Sequence, residues 1–216
     1  MKLAGKKINF LGDSITEGVG TTAPEHIYLN VLQRAAGLAA ARNYGVSATR
    51  IARQSTFYGV DKPALRDQDF LYRAESMDRD ADAVVVFGGT NDFGHGDAPL
   101  GTFDDRTPDT YYGACHLLMR SLLTWYPDSV IVFMTPLHRL NEVKSDAPDG
   151  KLETYVNIMQ EVAAYYAIPV LDLYRTSGLQ PEVTALRDRF MPDGLHPSDA
   201  GAAKIAARLQ GFLESL

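Results

Sequence analysis

The sequence predicts an α/β fold, a five-stranded parallel sheet covered by helices. Three observations predict it. Five short β-rich runs alternate with helical patterns along the 216 residues. Two of those runs, Ala83–Phe87 and residues 130–134, are continuously apolar, as strands buried on both faces of a parallel sheet are. Each of the first four runs is followed by small and polar residues, the kind that gather where open α/β sheets bind ligands, outside the carboxyl ends of the strands. Alternation of this kind implies βαβ units with right-handed crossovers. Five strands suit the flavodoxin-like order 2-1-3-4-5.

The elements follow in order. Residues 7–11 read as the first strand, stopped at Gly12. A helical pattern over 27–40 leads into a second strand over 41–46, and one over 70–77 leads into the third, Ala83–Phe87. The next helix, over 109–126, starts at Pro108-Asp109 and shows Leu117, Leu118, Ser121, Leu122 and Trp125 as its stripe. A fourth strand over 129–134, a helix over 151–167 and a fifth strand over 168–173 follow. Ser198-Asp199-Ala200, after Pro197, reads as the N-cap of a last helix over 198–216. With no linker, low-complexity tract or internal repeat, residues 1–216 read as a single domain.

Parallel strands put their carboxyl ends on one edge, so residues far apart in the chain meet there. Gly12-Asp13-Ser14 follows strand one, Tyr44-Gly45-Val46-Ser47 strand two and Gly88-Gly89-Thr90-Asn91-Asp92 strand three. Thr135-Pro136-Leu137-His138 follows strand four, and Asp193-Gly194-Leu195-His196 precedes the last helix. These residues suggest acyl transfer through a serine. The Ser14 hydroxyl needs a general base, and the base an orienting group. His196, with a reference pKa of about 6.5, suits the first role, and Asp193, three residues before it, the second. An oxyanion needs preorganised donors. The Ser14 N–H, the Gly45 N–H and the Asn91 side-chain amide are the candidates. On reference pKa values, activity is expected to fall below about pH 6.

These same motifs carry a family resemblance. Gly12-Asp13-Ser14-Ile15-Thr16-Glu17-Gly18 resembles block I of the GDSL/SGNH hydrolase superfamily, Gly45 in its setting block II, Gly89-Thr90-Asn91-Asp92 block III and Asp193-Gly194-Leu195-His196-Pro197 block V. The blocks occur in order and span almost the whole chain. The resemblance implies a three-layer α/β/α sandwich, ester hydrolysis, Ser14 as nucleophile, Asp193 and His196 as its partners, and Ser14, Gly45 and Asn91 as the oxyanion hole. It implies a small-molecule ester substrate and neither metal nor cofactor. Short acyl or acetyl esters, including acetylated carbohydrates, suit a chain of this length without a long apolar insertion. Two other readings keep the site: an acyltransferase, and a binding module without activity.

Other residues have competing roles. Asp13 either braces its turn or faces substrate, and Asp92 reads as a brace. His138 is either a pocket residue or an exposed loop histidine. His95, in Phe93-Gly94-His95-Gly96-Asp97, belongs to a loop over the pocket, either a lid or plain surface. Phe93, Phe103, Tyr111 and Tyr112 are an aromatic wall or core. Gly18-Val19-Gly20-Thr21-Thr22-Ala23 matches a dinucleotide fingerprint only formally, because the acidic residue about 20 positions on is missing. No G-x-S-x-G elbow occurs. The net charge of −6 and the lack of a basic cluster argue against nucleic acid. The single cysteine, Cys115, allows no internal disulfide, and no run approaches a membrane span. The short apolar run at the start lacks the features of a secretion signal, so a cytoplasmic protein is expected.

Overall fold

The alternation of side chains along each strand sends the apolar runs to both faces of one sheet. The computed structural model describes residues 1–56, 68–143 and 150–216. Its strands are β1 (Lys7–Gly12), β2 (Ala40–Gly45), β3 (Ala83–Phe87), β4 (Val130–Met134) and β5 (Val170–Leu171). All are parallel, in the order β2-β1-β3-β4-β5. The order reverses between β1 and β3, which places the crevice of the sheet at the ends of these two strands.

The helices are α1 (Ser14–Glu17), α2 (Tyr28–Ala36), α3 (Phe70–Ala74), α4 (Thr90–His95), α5 (Tyr111–Trp125), α6 (Leu152–Tyr165), α7 (Leu173–Thr176), α8 (Thr184–Phe190) and α9 (Asp199–Ser215). Phe10, Val85 and Val132 point to one face and pack with Leu29 and Leu32 of α2 and Ile205 and Leu209 of α9. Leu11, Val84 and Val86 point to the other and pack with Phe70 of α3, Leu118 of α5 and Met159 of α6. Helices on both faces of the sheet make the three layers.

Several boundaries differ from expectation. α2 stops at Ala36 because Gly37 takes a left-handed conformation, φ 67°, and the chain turns straight into β2. The fifth strand has two residues because Asp172 caps α7, accepting from the Arg175 N–H. α5 begins at Tyr111, capped by the Thr110 hydroxyl rather than opened by Pro108-Asp109. Its buried face holds Tyr111, Ala114, Cys115, Leu118, Met119 and Leu122, while Leu117, Ser121 and Trp125 are only half-buried. The core face thus lies one step around the helix from the expected stripe and shares only Leu118 and Leu122 with it. Ser198 caps α9 as expected, accepting from the Gly201 N–H. The short helices α1, α4, α7 and α8 have no periodic signature, because one turn or two carries too few positions for a period. No helix among the described residues is long and apolar enough to cross a membrane.

Candidate active site

Ser14 is the first residue of α1, immediately past β1. Asp13 caps that helix, its Oδ1 accepting the Ile15 N–H at 3.0 Å. At the other end of the chain, Asp193 folds the turn that carries His196. Its Oδ1 accepts the N–H groups of Leu195 and His196 at 2.9 and 2.7 Å, and its Oδ2 lies 2.6 Å from His196 Nδ1. His196 Nε2 lies 2.9 Å from Ser14 Oγ. The two segments, 182 residues apart, are held together by Thr22, whose N–H and hydroxyl both donate to the Asp199 carboxylate at the start of α9.

Burial pushes the Asp193 carboxyl up, but the hydrogen bonds from the His196 ring and from the His196 and Leu195 N–H groups outweigh it and hold it below its ordinary value. An ionised carboxylate can only accept, so His196 Nδ1 carries the hydrogen and Nε2 offers its lone pair to the Ser14 hydroxyl. Ser14, His196 and Asp193 thus form one hydrogen-bonded row.

Asn91 enters from α4, whose N-cap Gly89 has φ 102°. Asn91 Nδ2 donates to the Thr49 carbonyl at 3.0 Å, which leaves the second amide hydrogen for another acceptor. Asp92 accepts the N–H groups of Ile51 and Ala52 at 3.0 and 2.8 Å. α4 is thereby stitched to the segment after β2. Burial raises the pKa values of Asp13 and Asp92 to about 6 despite these hydrogen bonds. Both act as braces of their turns.

Gly45 requires a correction. Its N–H donates to Asn43 Oδ1 at 2.8 Å, and it borders a hollow of about 520 Å³ outside β2, away from Ser14. A Cβ there would lie 2.2 Å from the Glu17 nitrogen, so α1 needs the glycine for its close approach to β2. The residues of this segment that reach the Ser14 cleft are Ser47 and Ala48, and Ala48 has φ 65°, uncommon for a residue with a Cβ. No hydrogen bond among the described residues takes the N–H of Ala48 or of Ser14. Glu17 fixes this loop by accepting from the Ser47 N–H at 2.6 Å and from the Ser47 hydroxyl.

The cleft has a volume of about 300 Å³, and Ser14, Ala48, Asn91, His95, Arg139 and His196 are on its wall. His95 borders this cleft, and its segment is no simple loop. α4 runs through His95, Phe93 is buried, and Asp97 accepts from Ser55 and Thr56. Asp13 is buried and off the cleft wall. His138 is elsewhere too, its Nδ1 2.7 Å from Glu142 Oε1 and its ring 3.9 Å from that of Tyr174. Phe93 and Tyr111 are core residues, and Phe103 and Tyr112 pack edge-on against one another, so the aromatic wall is not formed. Among the described residues no group of His, Cys, Asp and Glu could hold a metal ion.

Three residues of this region carry no sequence signal. Ala48 is one. Arg73 is buried and donates to Thr49 Oγ1 at 2.8 Å, to the Gly12 carbonyl at 2.9 Å and to the Tyr44 carbonyl. Arg139, the third, reaches the cleft from the segment after β4. A lone alanine or arginine reads as surface or filler until the fold places it.

A search of curated proteins returns no match. One solved structure is 33% identical, covers 100% of this chain and 99% of its own, and superimposes with a TM-score of 0.86. A protein from Lactobacillus plantarum is 30% identical, with 99% and 98% coverage and a TM-score of 0.81. The lipase/acylhydrolase from Enterococcus faecalis shares the fold at 22% identity, with 97% and 96% coverage and a TM-score of 0.67. The family model of the GDSL-like lipases and acylhydrolases matches residues 10–204, from β1 well into α9. That span contains the whole Ser14–His196–Asp193 row, and the chain belongs to the GDSL-like lipase/acylhydrolase family of ester hydrolases.

Proposed function

We propose that this protein is a serine esterase that works through an acyl-enzyme. The observation that carries the reading is the row from Ser14 Oγ to His196 Nε2 at 2.9 Å and from His196 Nδ1 to Asp193 Oδ2 at 2.6 Å. His196 removes the Ser14 proton as Oγ attacks the ester carbonyl, and Asp193 stabilises the imidazolium. The N–H groups of Ser14 and Ala48 and the second amide hydrogen of Asn91 receive the oxyanion. His196 then protonates the leaving alcohol. Water, deprotonated by His196, cleaves the acyl-enzyme and restores Ser14.

The cleft supports short acyl groups. Its 300 Å³ is at the small end of ligand sites. The test is hydrolysis of 4-nitrophenyl acetate, butyrate and octanoate by wild type and Ser14→Ala, with a fluorophosphonate label on both. Wild type should be labelled and prefer the shorter chains, and Ser14→Ala should do neither. Equal turnover by the two proteins refutes the reading.

A further inference from the structure

The geometry points to Arg139 as an anion-binding subsite of the Ser14 cleft, and to a substrate that carries a carboxylate or phosphate a few bonds from the scissile ester. This inference rests on the serine-esterase reading. Arg139 lies beyond β4, and its backbone is tied to the catalytic turn. Its N–H donates to Glu142 Oε1 at 2.8 Å, and the next N–H, of Leu140, donates to the Gly194 carbonyl at 2.9 Å, between Asp193 and His196. The guanidinium is oriented as well. Nη1 donates to the carbonyl and hydroxyl of Thr90 at 3.1 and 3.2 Å, and the group lies 5.6 Å over the Phe93 ring.

Among the described residues this cation has no counter-ion at contact distance. Glu142, Asp13 and Asp193 act on it only from farther away. Among the described residues its Nε is buried without an acceptor and its Nη2 makes no hydrogen bond. A guanidinium half withdrawn from water and unpaired is costly, and an arriving anion offsets that cost. Arginine suits carboxylate and phosphate through its planar array of donors. The rest of the cleft agrees, since Val19, Ala48 and Leu195 line it, and no carboxylate among the described residues does. The small volume keeps the anion and the ester of one molecule close together.

The experiment compares kcat/KM for matched esters. Methyl hydrogen succinate is set against methyl pentanoate, and acetoxyacetate and 2-acetoxyethyl phosphate against 2-methoxyethyl acetate. Wild type should prefer at least one anionic ester, and the favoured arm identifies carboxylate or phosphate. Arg139→Gln should lower kcat/KM for that ester about 10- to 100-fold more than for its neutral partner, as loss of a hydrogen bond to a charged group does. Arg139→Lys should restore part of the preference, and added salt should weaken it in wild type. An unchanged anionic-to-neutral ratio in Arg139→Gln overturns the proposal. If wild type cleaves no ester, the serine reading fails separately. Calorimetric titration of succinate and inorganic phosphate then decides the subsite: binding lost in Arg139→Gln supports it, and no binding to wild type refutes it.

Discussion

The Arg73 guanidinium donates to Thr49 Oγ1 at 2.8 Å, while the Thr49 carbonyl accepts from Asn91 Nδ2 at 3.0 Å. A buried cation on α3 is thus coupled through one threonine to the proposed oxyanion donor on α4. The same guanidinium donates to the carbonyls of Gly12 and Tyr44, at the ends of β1 and β2. Burial lowers its pKa to about 10, and it stays charged at neutral pH.

Arg73→Lys should therefore be damaging despite the retained charge. An ammonium has three hydrogens but only one nitrogen, so it cannot span the acceptors that Nη1 and Nη2 reach separately. The unfolding free energy should drop by about 2–4 kcal/mol, measured by urea titration. In the folded fraction kcat should fall more than KM rises, because the donors for the oxyanion lose alignment. Wild-type stability and kcat would refute the bracing role.

Asn91→Ala should lower kcat by about 10²- to 10³-fold with little change in KM, as removal of one oxyanion donor does. Ala48→Gly should keep kcat near wild type, because the donor is the backbone and glycine adopts φ 65° freely. A large loss in Ala48→Gly would show that the methyl group, not the N–H, matters there.

Gly45→Ala tests the corrected role of that glycine. The new Cβ would meet the Glu17 nitrogen at 2.2 Å and the Thr16 carbonyl carbon at 2.6 Å. Backbone cannot move aside as a flexible side chain does, so overpacking of about 1–3 kcal/mol is expected. Differential scanning calorimetry should show a lower Tm, and an unchanged Tm would contradict the tight approach of α1 to β2.

Stability should also depend on pH through two buried carboxyls. Burial raises Asp13 and Asp92 to about 6, against an ordinary value of 3.8. Between about pH 4 and 6 the folded chain keeps protons that the unfolded chain has released, and this contribution to stability is lost as pH rises. Asp97 and Asp193 have the opposite sign. Hydrogen bonds outweigh burial and hold them below 3.8, so their contribution is lost as pH falls below that value. Urea unfolding at about pH 4.5 and 6.5 should show a smaller drop in Asp13→Asn and Asp92→Asn than in wild type. The same drop in all three proteins would rule out these two groups.

By itself the sequence determined the parallel α/β class and singled out Ser14, Asp193 and His196 as one candidate set, while it only suited, and did not fix, the strand order 2-1-3-4-5. The apolar runs at Ala83–Phe87 and 130–134 declare burial on both faces, and Asp193 and His196 are near enough in the chain for their turn to be read locally. Tertiary structure decided the rest. Gly45 ends β2 and Ala48 follows three residues later, and residue type favours the glycine. The packing of α1 on β2 uses the glycine for close approach, and the path that Glu17 fixes through Ser47 brings Ala48 to the cleft wall instead. Arg73 and Arg139 look alike in the sequence as isolated cations. One becomes a buried brace and the other a cleft residue only because α3 and the segment after β4 converge on the same sheet edge. A side chain's role depends on what surrounds it, and those neighbours come from strands that the chain order alone does not bring into contact.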